Sequence, residues 1–368
     1  LLESATEFVP KSRRELIVSV VKMPPSYRAA ILGLGFIGGA DQVSGDRLGQ
    51  QVANLDGTHL QAYLQNSRID LVAGSSRDEG RRQRFFARTG ARIYADWRAL
   101  LEAERPEIVS VASYAPAHAE MTIEAARAGA RVVWCEKPIA TSLRDADRML
   151  EACRTWGTLL VINHNRRFHP QFRTLQQVIA QGRLGELRGG SLSWPTGRLG
   201  NVGTHFFNAL LMLVARPVEA VSATLDLARR PDCRGEDFQD PGGWGAIRLR
   251  GGLTVTFEAP DYSRAPPRLS VHGDLGRVTV DGAEVASEVW GQSPQHLPPP
   301  PRDESSMDRA LLEIIDWLDG NRTAVESPES SRQTLEMIVA CHLSHDRQGA
   351  WVRLPLPPES SDREIRTG

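Results

Sequence analysis

Lysine is almost missing from this chain: of 44 basic residues only Lys11, Lys22 and Lys137 are lysines. Two of the three precede the first strand-like run, which leaves Lys137 alone in the part of the chain patterned to fold. Arginine keeps its proton in proteins, whereas a desolvated lysine can release one, so this position is a candidate for chemistry. Cysteine is also scarce. Cys135, Cys153, Cys233 and Cys341 stand far apart with no C-x-x-C pair, which excludes a zinc knuckle and a disulfide framework and suits a reducing cytoplasm. No apolar run approaches the ~20 residues of a membrane span. The first 25 residues have no long apolar core or small-residue cleavage site and read as a loose leader. A charge excess is absent too: the formal net charge is −1, with arginines spread among carboxylates, so neither nucleic acid nor a membrane surface is an expected partner. Small molecules are.

What is present is material for two domains, since 368 residues exceed what one core usually supports. From Arg28 the pattern repeats strand, turn and helix, the signature of a parallel sheet covered on both faces. Strands are predicted at Ala29–Leu32, Ile69–Ala73, Ile108–Ala112 and Arg131–Cys135, with a short one at Ala91–Tyr94. Helices are predicted at Asp78–Arg88, Asp96–Glu104, Pro116–Ala128 and Ser142–Trp156, and a further strand at Leu159–Ile162. Between Glu186 and Trp290 strand-like runs dominate, and Gly251-Gly252 and Gly273-Asp274 supply hairpin turns. After a polyproline spacer at Pro298–Pro301, helices are predicted at Met307–Leu318 and Ser330–His345. The fold class is thus α/β: a Rossmann-like, doubly wound parallel sheet over 26–150, then an α+β domain with a large open, mostly antiparallel sheet over 151–358. The charged residues 359–368 read as a flexible tail.

Directly after the first strand, Gly33-Leu34-Gly35-Phe36-Ile37-Gly38 spells G-x-G-x-x-G. The first glycine permits a tight turn, the second lets a pyrophosphate approach the backbone, and the third lets a helix pack on the strand. The helix does not follow at once, because 41–57 is rich in Gly, Asp, Gln and Ser and reads as an insertion at the pocket mouth. The second predicted strand leads into Ser75-Ser76-Arg77, with no acid to grip an adenosine ribose. Hydroxyls and arginines, with Arg81 and Arg82 on the next turn, suit a 2′-phosphate, so NADP is favoured slightly over NAD.

Ligands of open α/β sheets lie beyond the carboxyl ends of the strands. The fourth strand runs straight into Glu136-Lys137-Pro138, which delivers Lys137 to that crevice. Here the chain resembles the glucose-fructose oxidoreductase and inositol dehydrogenase family, Gfo/Idh/MocA. The resemblance rests on the glycine motif, on Pro116-Ala117-His118, on Val133-Trp134-Cys135-Glu136-Lys137-Pro138, and on Asn165-Arg166-Arg167-Phe168-His169-Pro170. It implies a hydride exchange between NAD(P) and a hydroxyl carbon of a sugar or cyclitol, and an open sheet that pairs subunits as a homodimer or homotetramer. It further implies that Lys137 contacts substrate, that Glu136 and His118 lie by the cofactor, and that a histidine in an Asp-x-Gly-x-His motif takes the hydroxyl proton. Here that motif reads Asn201-Val202-Gly203-Thr204-His205. His205 holds the catalytic place, but Asn201 and Asn208 stand where acids are expected, and an amide cannot stabilise an imidazolium by charge.

Asn163, His164, Arg167, Trp194, Asn201 and Asn208 are the candidate substrate contacts, with Trp194 offering an apolar face to a ring. His342 and His345 lie three apart on a helix without a supporting carboxylate or cysteine cluster, so no metal is expected. Two other readings compete with the dehydrogenase: an enzyme that recycles a tightly held NAD(H) through transient oxidation for elimination, epimerisation or glycoside cleavage, and a catalytically silent cofactor-binding regulator.

Overall fold

The structure, a computed structural model, describes residues 26–43, 56–227, 235–260, 265–301, 304–321 and 327–367. The expected leader, the centre of the 41–57 insertion and Cys233 lie outside the described residues. The chain begins with β1 (Tyr27–Leu32), α1 (Phe36–Gly39), α2 (His59–Gln65), β2 (Ile69–Ser75), α3 (Glu79–Thr89), β3 (Arg92–Tyr94) and α4 (Trp97–Glu104). It continues through β4 (Ile108–Val111), α5 (His118–Arg127), β5 (Val132–Cys135), α6 (Leu143–Trp156) and β6 (Leu159–Ile162). Their strands form one parallel sheet in the order β3-β2-β1-β4-β5-β6, the doubly wound dinucleotide-binding order. Every residue of β4 and β5 is buried, as continuous apolar strands covered on both faces must be. Helix ends follow local chemistry: Asp78 and Ser142 accept the N–H groups of Arg81 and Asp145, and Gly90 and Gly157 close the same helices in the left-handed region.

The second unit carries α7 (Pro170–Ala180), β7 (Leu187–Ser193), α8 (Thr204–Val214), β8 (Val218–Leu225), β9 (Gly243–Leu249), β10 (Thr254–Ala259) and β11 (Arg268–Gly273). It is completed by β12 (Gly276–Asp281), β13 (Glu284–Val289), β14 (Gln295–His296), α9 (Ser306–Leu318), α10 (Pro328–Asp346) and β15 (Val352–Arg353). Nine strands form a sheet in the order β14-β13-β12-β11-β7-β10-β9-β8-β15, antiparallel except where β10 runs parallel to β7. Strict alternation along β10 and β11 buries Val255, Phe257, Leu269 and Val271, while Thr254, Thr256, Glu258, Arg268 and His272 face outward. One face is therefore open. No helix among the described residues is long and apolar enough to cross a membrane.

Three expectations are corrected. The first domain does not end at 150, because β6 pairs with β5 in the same sheet, and α9 packs Met307, Leu311 and Ile314 against Leu60, Tyr63 and Trp134 of that domain. Helix α9 thus returns across the chain to cover a sheet face that the short α1 and α2 leave bare. Trp194 offers no face to a ligand: it is 1% exposed, stacked between Phe206 and Phe257, and its indole N–H donates to Gly197 O. The strand period that buries Leu192 puts Trp194 on the same inner side. The tail is not loose either. Ile365 is buried, its N–H donates to Thr141 O, and Thr367 is buried beyond it. A few well-placed apolar and hydroxyl groups fix a segment that composition alone marks as soluble.

Candidate functional site

The glycine turn has the geometry that close approach demands. A Cβ on Gly33 would sit 2.4 Å from Ala112 O, in a backbone with φ +104, and one on Gly38 would sit 2.1 Å from Gly33 O. Gly35 differs, since its Cβ would meet only Arg81 Nη1 at 3.6 Å. The outer two glycines serve the fold and the middle one keeps open a place for a ligand. Phe36 and Ile37 open the helical turn that follows, whose N–H groups have no intrahelical acceptors and suit a pyrophosphate. Ser75 is buried and its carbonyl accepts the Gly33 N–H, which locks the end of β2 beside this turn. Ser76 and exposed Arg77 come next, and Arg82 donates to both of their carbonyls. Helix α1 lasts one turn because Ala40 takes a left-handed conformation, and buried Asp41 is gripped by Arg84 at 2.8 Å. A dinucleotide fits these residues.

Lys137 projects just beyond the carboxyl end of β5, and its bond to Pro138 is cis. Its ammonium donates across the domain seam to the carbonyl and side-chain oxygens of Asn201, at 3.2 and 3.3 Å. Asn201 belongs to a wide helical turn, Leu199–Gly203, that runs into α8 and sets His205 one turn further on. Nδ1 of His205 is buried with no partner among the described residues. Burial first, then the charges of Lys137 and Arg166 and the neighbouring His164, hold its pKa well below the ordinary imidazole value. His205 is therefore a neutral imidazole at neutral pH, and no described group takes its Nδ1.

Other expected residues take different places. His164 is buried, with Nε2 on Thr204 Oγ1 and Nδ1 on Ser331 Oγ, so it braces α8 and α10 behind His205. Arg167 donates to Asn208 Oδ1 at 2.6 Å, and Asn208 donates to Thr334. Both Asn208 and Asn163 are almost wholly buried, and Asn163 Oδ1 has no partner among the described residues. His118 is likewise corrected: it is 1% exposed, its two ring nitrogens face Pro138 O and Ser113 O, and burial lowers its pKa. It ties the ends of β4 and β5 together.

Glu136 also turns inward, beneath Lys137. Burial alone would raise its pKa, but His59, the Lys137 charge and Asn163 hold it below the ordinary carboxylate value. His59 Nε2 lies 3.1 Å from Glu136 Oε1, Asn163 Nδ2 donates to the same oxygen at 2.6 Å, and Ser110 and Tyr63 complete the buried chain through His59 Nδ1. Sequence reasoning missed His59 because the insertion separates it from the glycine motif.

It also missed Asp240. This buried carboxylate accepts the N–H groups of Gly200 and Asn201, at 2.6 and 2.8 Å, and the hydroxyl of Thr367. Asn201 itself brings no charge, but a carboxylate stands directly behind it. No motif marks Asp240, and the loop that brings it here is far away in sequence.

A six-stranded doubly wound sheet, a glycine turn open at its middle residue, and a lysine facing a neutral histidine make up a dinucleotide-binding Rossmann domain with a candidate site at its carboxyl edge. Residues 27–164 match the Gfo/Idh/MocA family model, described as "Oxidoreductase family, NAD-binding Rossmann fold". D-apiose dehydrogenase of Paraburkholderia graminis is 32% identical over 128 residues, 34% of each chain. The match thus spans about a third of that relative. D-glucoside 3-dehydrogenase of Escherichia coli is 23% identical over 322 residues, 78% of this chain and 92% of its own. The WlbA dehydrogenase of Bordetella pertussis, solved with NADH and UDP-GlcNAcA, shares the fold with a TM-score of 0.73 at 22% identity, covering 90% of this chain and 99% of that one.

Two predictions follow from this geometry. Gly35→Ala should leave the thermal midpoint unchanged while weakening nicotinamide dinucleotide binding at least about tenfold, whereas Gly38→Ala should destabilise the fold by about 1–3 kcal/mol. Calorimetric titration beside thermal melts separates them, and equal loss of binding and stability in Gly35→Ala would refute the assignment. Asp240→Ala should cost about 2–4 kcal/mol, because it strands two backbone donors, and should lower kcat. Combined with Lys137→Met it should lower kcat no further than Lys137→Met does, a non-additivity that a purely structural defect would not show.

Proposed function

We propose that this protein is an NAD(P)-dependent dehydrogenase or reductase that moves hydride between the nicotinamide and a hydroxyl carbon of a sugar, cyclitol or sugar derivative. The observation that carries the reading is the Lys137 ammonium held at Asn201 while Nδ1 of His205 stands without a partner one turn on. The bound nicotinamide supplies the two-electron acceptor or donor. Lys137 stabilises the developing alkoxide by hydrogen bonding and charge, and neutral His205 receives the hydroxyl proton. Glu136, held by His59 and Asn163, and Asp240, which holds the Asn201 backbone, fix the residues on either side of the lysine. The relatives named for sugar dehydrogenation support this chemistry. The open face of the nine-stranded sheet is where a homodimer or homotetramer would form.

Lys137→Met and His205→Asn should each lower kcat by at least about a hundredfold, the usual contribution of a positioned proton-transfer group, followed as nicotinamide absorbance over a panel of sugars and cyclitols. Alcohol oxidation requires neutral His205. Because its folded pKa is depressed from 6.5, kcat/KM should stay flat on lowering the pH through that value and fall only further into acid. A limb centred at 6.5 would count against His205 as the base.

For the cofactor, the reading is a mild preference for NADP, supported by Ser76 and Arg77 just after β2 and Arg81 in the first turn of α3, groups that suit a 2′-phosphate. Arg77→Ser should raise KM for NADP more than KM for NAD, and an equal change in both would remove the preference.

A further inference from the structure

Lys137 and Asn201 make one bridge across the domain seam, and a second runs beside it. Tyr114 stands just beyond the carboxyl end of β4. Its ring meets that of Phe238, from the loop between β8 and β9, edge to face with centroids 6.0 Å apart. Tyr114 is 37% exposed and Phe238 half-buried, so this contact lies at the surface and not in a core.

Both rings project from backbone that is tied down. Tyr114 O accepts the Ala117 N–H in the turn that opens α5. The preceding carbonyl, Ser113 O, faces His118 Nε2, whose other ring nitrogen faces Pro138 O beside Lys137. On the second domain, the Phe238 N–H donates to Gly235 O and the Gln239 N–H to Arg366 O, while Arg366 donates back to Asp237 O and Glu236 O. Two residues beyond Phe238, Asp240 holds the N–H groups of Gly200 and Asn201. A continuous path therefore runs from Lys137 through Asn201, Asp240, Phe238, Tyr114 and His118 back to Pro138, and it closes a ring around the seam.

Strand order says what that ring encloses. β4 lies between β1, which carries the glycine turn, and β5, which presents Lys137. A Cβ on Gly33 would sit 2.4 Å from Ala112 O and 2.9 Å from Ser113 N, so the end of β4 abuts that turn. A dinucleotide with its pyrophosphate on the glycine turn and its nicotinamide at Lys137 has to cross the end of β4, next to Tyr114. Phe238 reaches over from the other domain at that crossing.

We infer that Tyr114 and Phe238 form an aromatic clasp over the nicotinamide end of the bound dinucleotide, through which the cofactor enters and leaves. The inference takes the place of the nicotinamide at Lys137 from the dehydrogenase reading, and goes beyond it by assigning cofactor retention to two residues of different domains. One edge-to-face pair is strong enough to slow exchange and weak enough to open unaided. Because the ring contact is the same whether the site is filled or empty, it slows entry and exit alike and adds no affinity.

The test is stopped-flow fluorescence of NADH and NADPH on the full chain, with association read on mixing and dissociation read on displacement by excess NAD+ or NADP+. In Tyr114→Ala and in Phe238→Ala both rate constants should rise together by about two- to tenfold, the strength of one aromatic pair, with Kd unchanged. The double variant should be no faster than the faster single one, because either truncation already removes the contact. Tyr114→Phe keeps the ring and should exchange at the wild-type rate. Both positions are partly exposed, so thermal melts of all four variants should match wild type and keep a loss of the clasp apart from a loss of fold. If no sugar or cyclitol is turned over but the alanine variants still exchange cofactor faster at constant Kd, the dehydrogenase reading falls and the clasp stands. Unchanged rates in either alanine variant, additive acceleration in the double one, or Tyr114→Phe as fast as Tyr114→Ala would overturn the inference. So would faster dissociation with unchanged association, which would make the rings direct ligand contacts.

Discussion

The structure depends on holding one ammonium in place at a boundary between two folding units. Lys137 stands at the end of β5, where the parallel sheet stops supplying hydrogen bonds. Alone, its long side chain would be free to swing. Two arrangements prevent this. Glu136, its neighbour in sequence, is buried as a carboxylate by His59 and Asn163, and Asn201 receives the ammonium from the other domain. Asp240 and the end of the chain then hold Asn201. Each domain contributes a carboxylate that never touches the reacting atoms and whose position sets where the lysine points.

That arrangement explains several features that look unrelated. Helix α9 leaves the second domain to pack on the first, and its Met307 touches Asn163, so the floor of the site is completed by a distant segment. Residues 359–367 cross back to Thr141 on one side and to Asp240 on the other, fastening both domains near the seam. The aromatic stack of Trp194, Phe206 and Phe257 stiffens the start of α8, so that His205 extends from a packed wall. Neutrality of the imidazole follows from the same compactness, since burial and adjacent cations both oppose its protonation.

Much of the frame was legible in the sequence. Apolar runs and turn residues marked the six parallel strands to within a residue or two, because strands buried on both faces leave a strong local signal. Lys137, His205 and the three glycines were legible for a similar reason: each needs a residue type that nothing else replaces at that backbone position. The failures share another cause. Trp194, Asn163 and His118 have side chains that serve a core or a ligand equally well, and only their surroundings choose between these uses. The pairs β14 and β15 are two residues long and exist only because longer strands template them.

The sequence by itself determined the parallel strands of the first sheet, the glycine turn and the delivery of Lys137 to the carboxyl edge, since period, turn chemistry and chain direction are local properties. Tertiary structure alone decided which polar groups face the ligand and which brace the frame. His59, Asp240 and Thr367 meet the site from positions far apart in the chain. Burial and partner choice depend on every element that packs around a residue, and no local pattern carries that information.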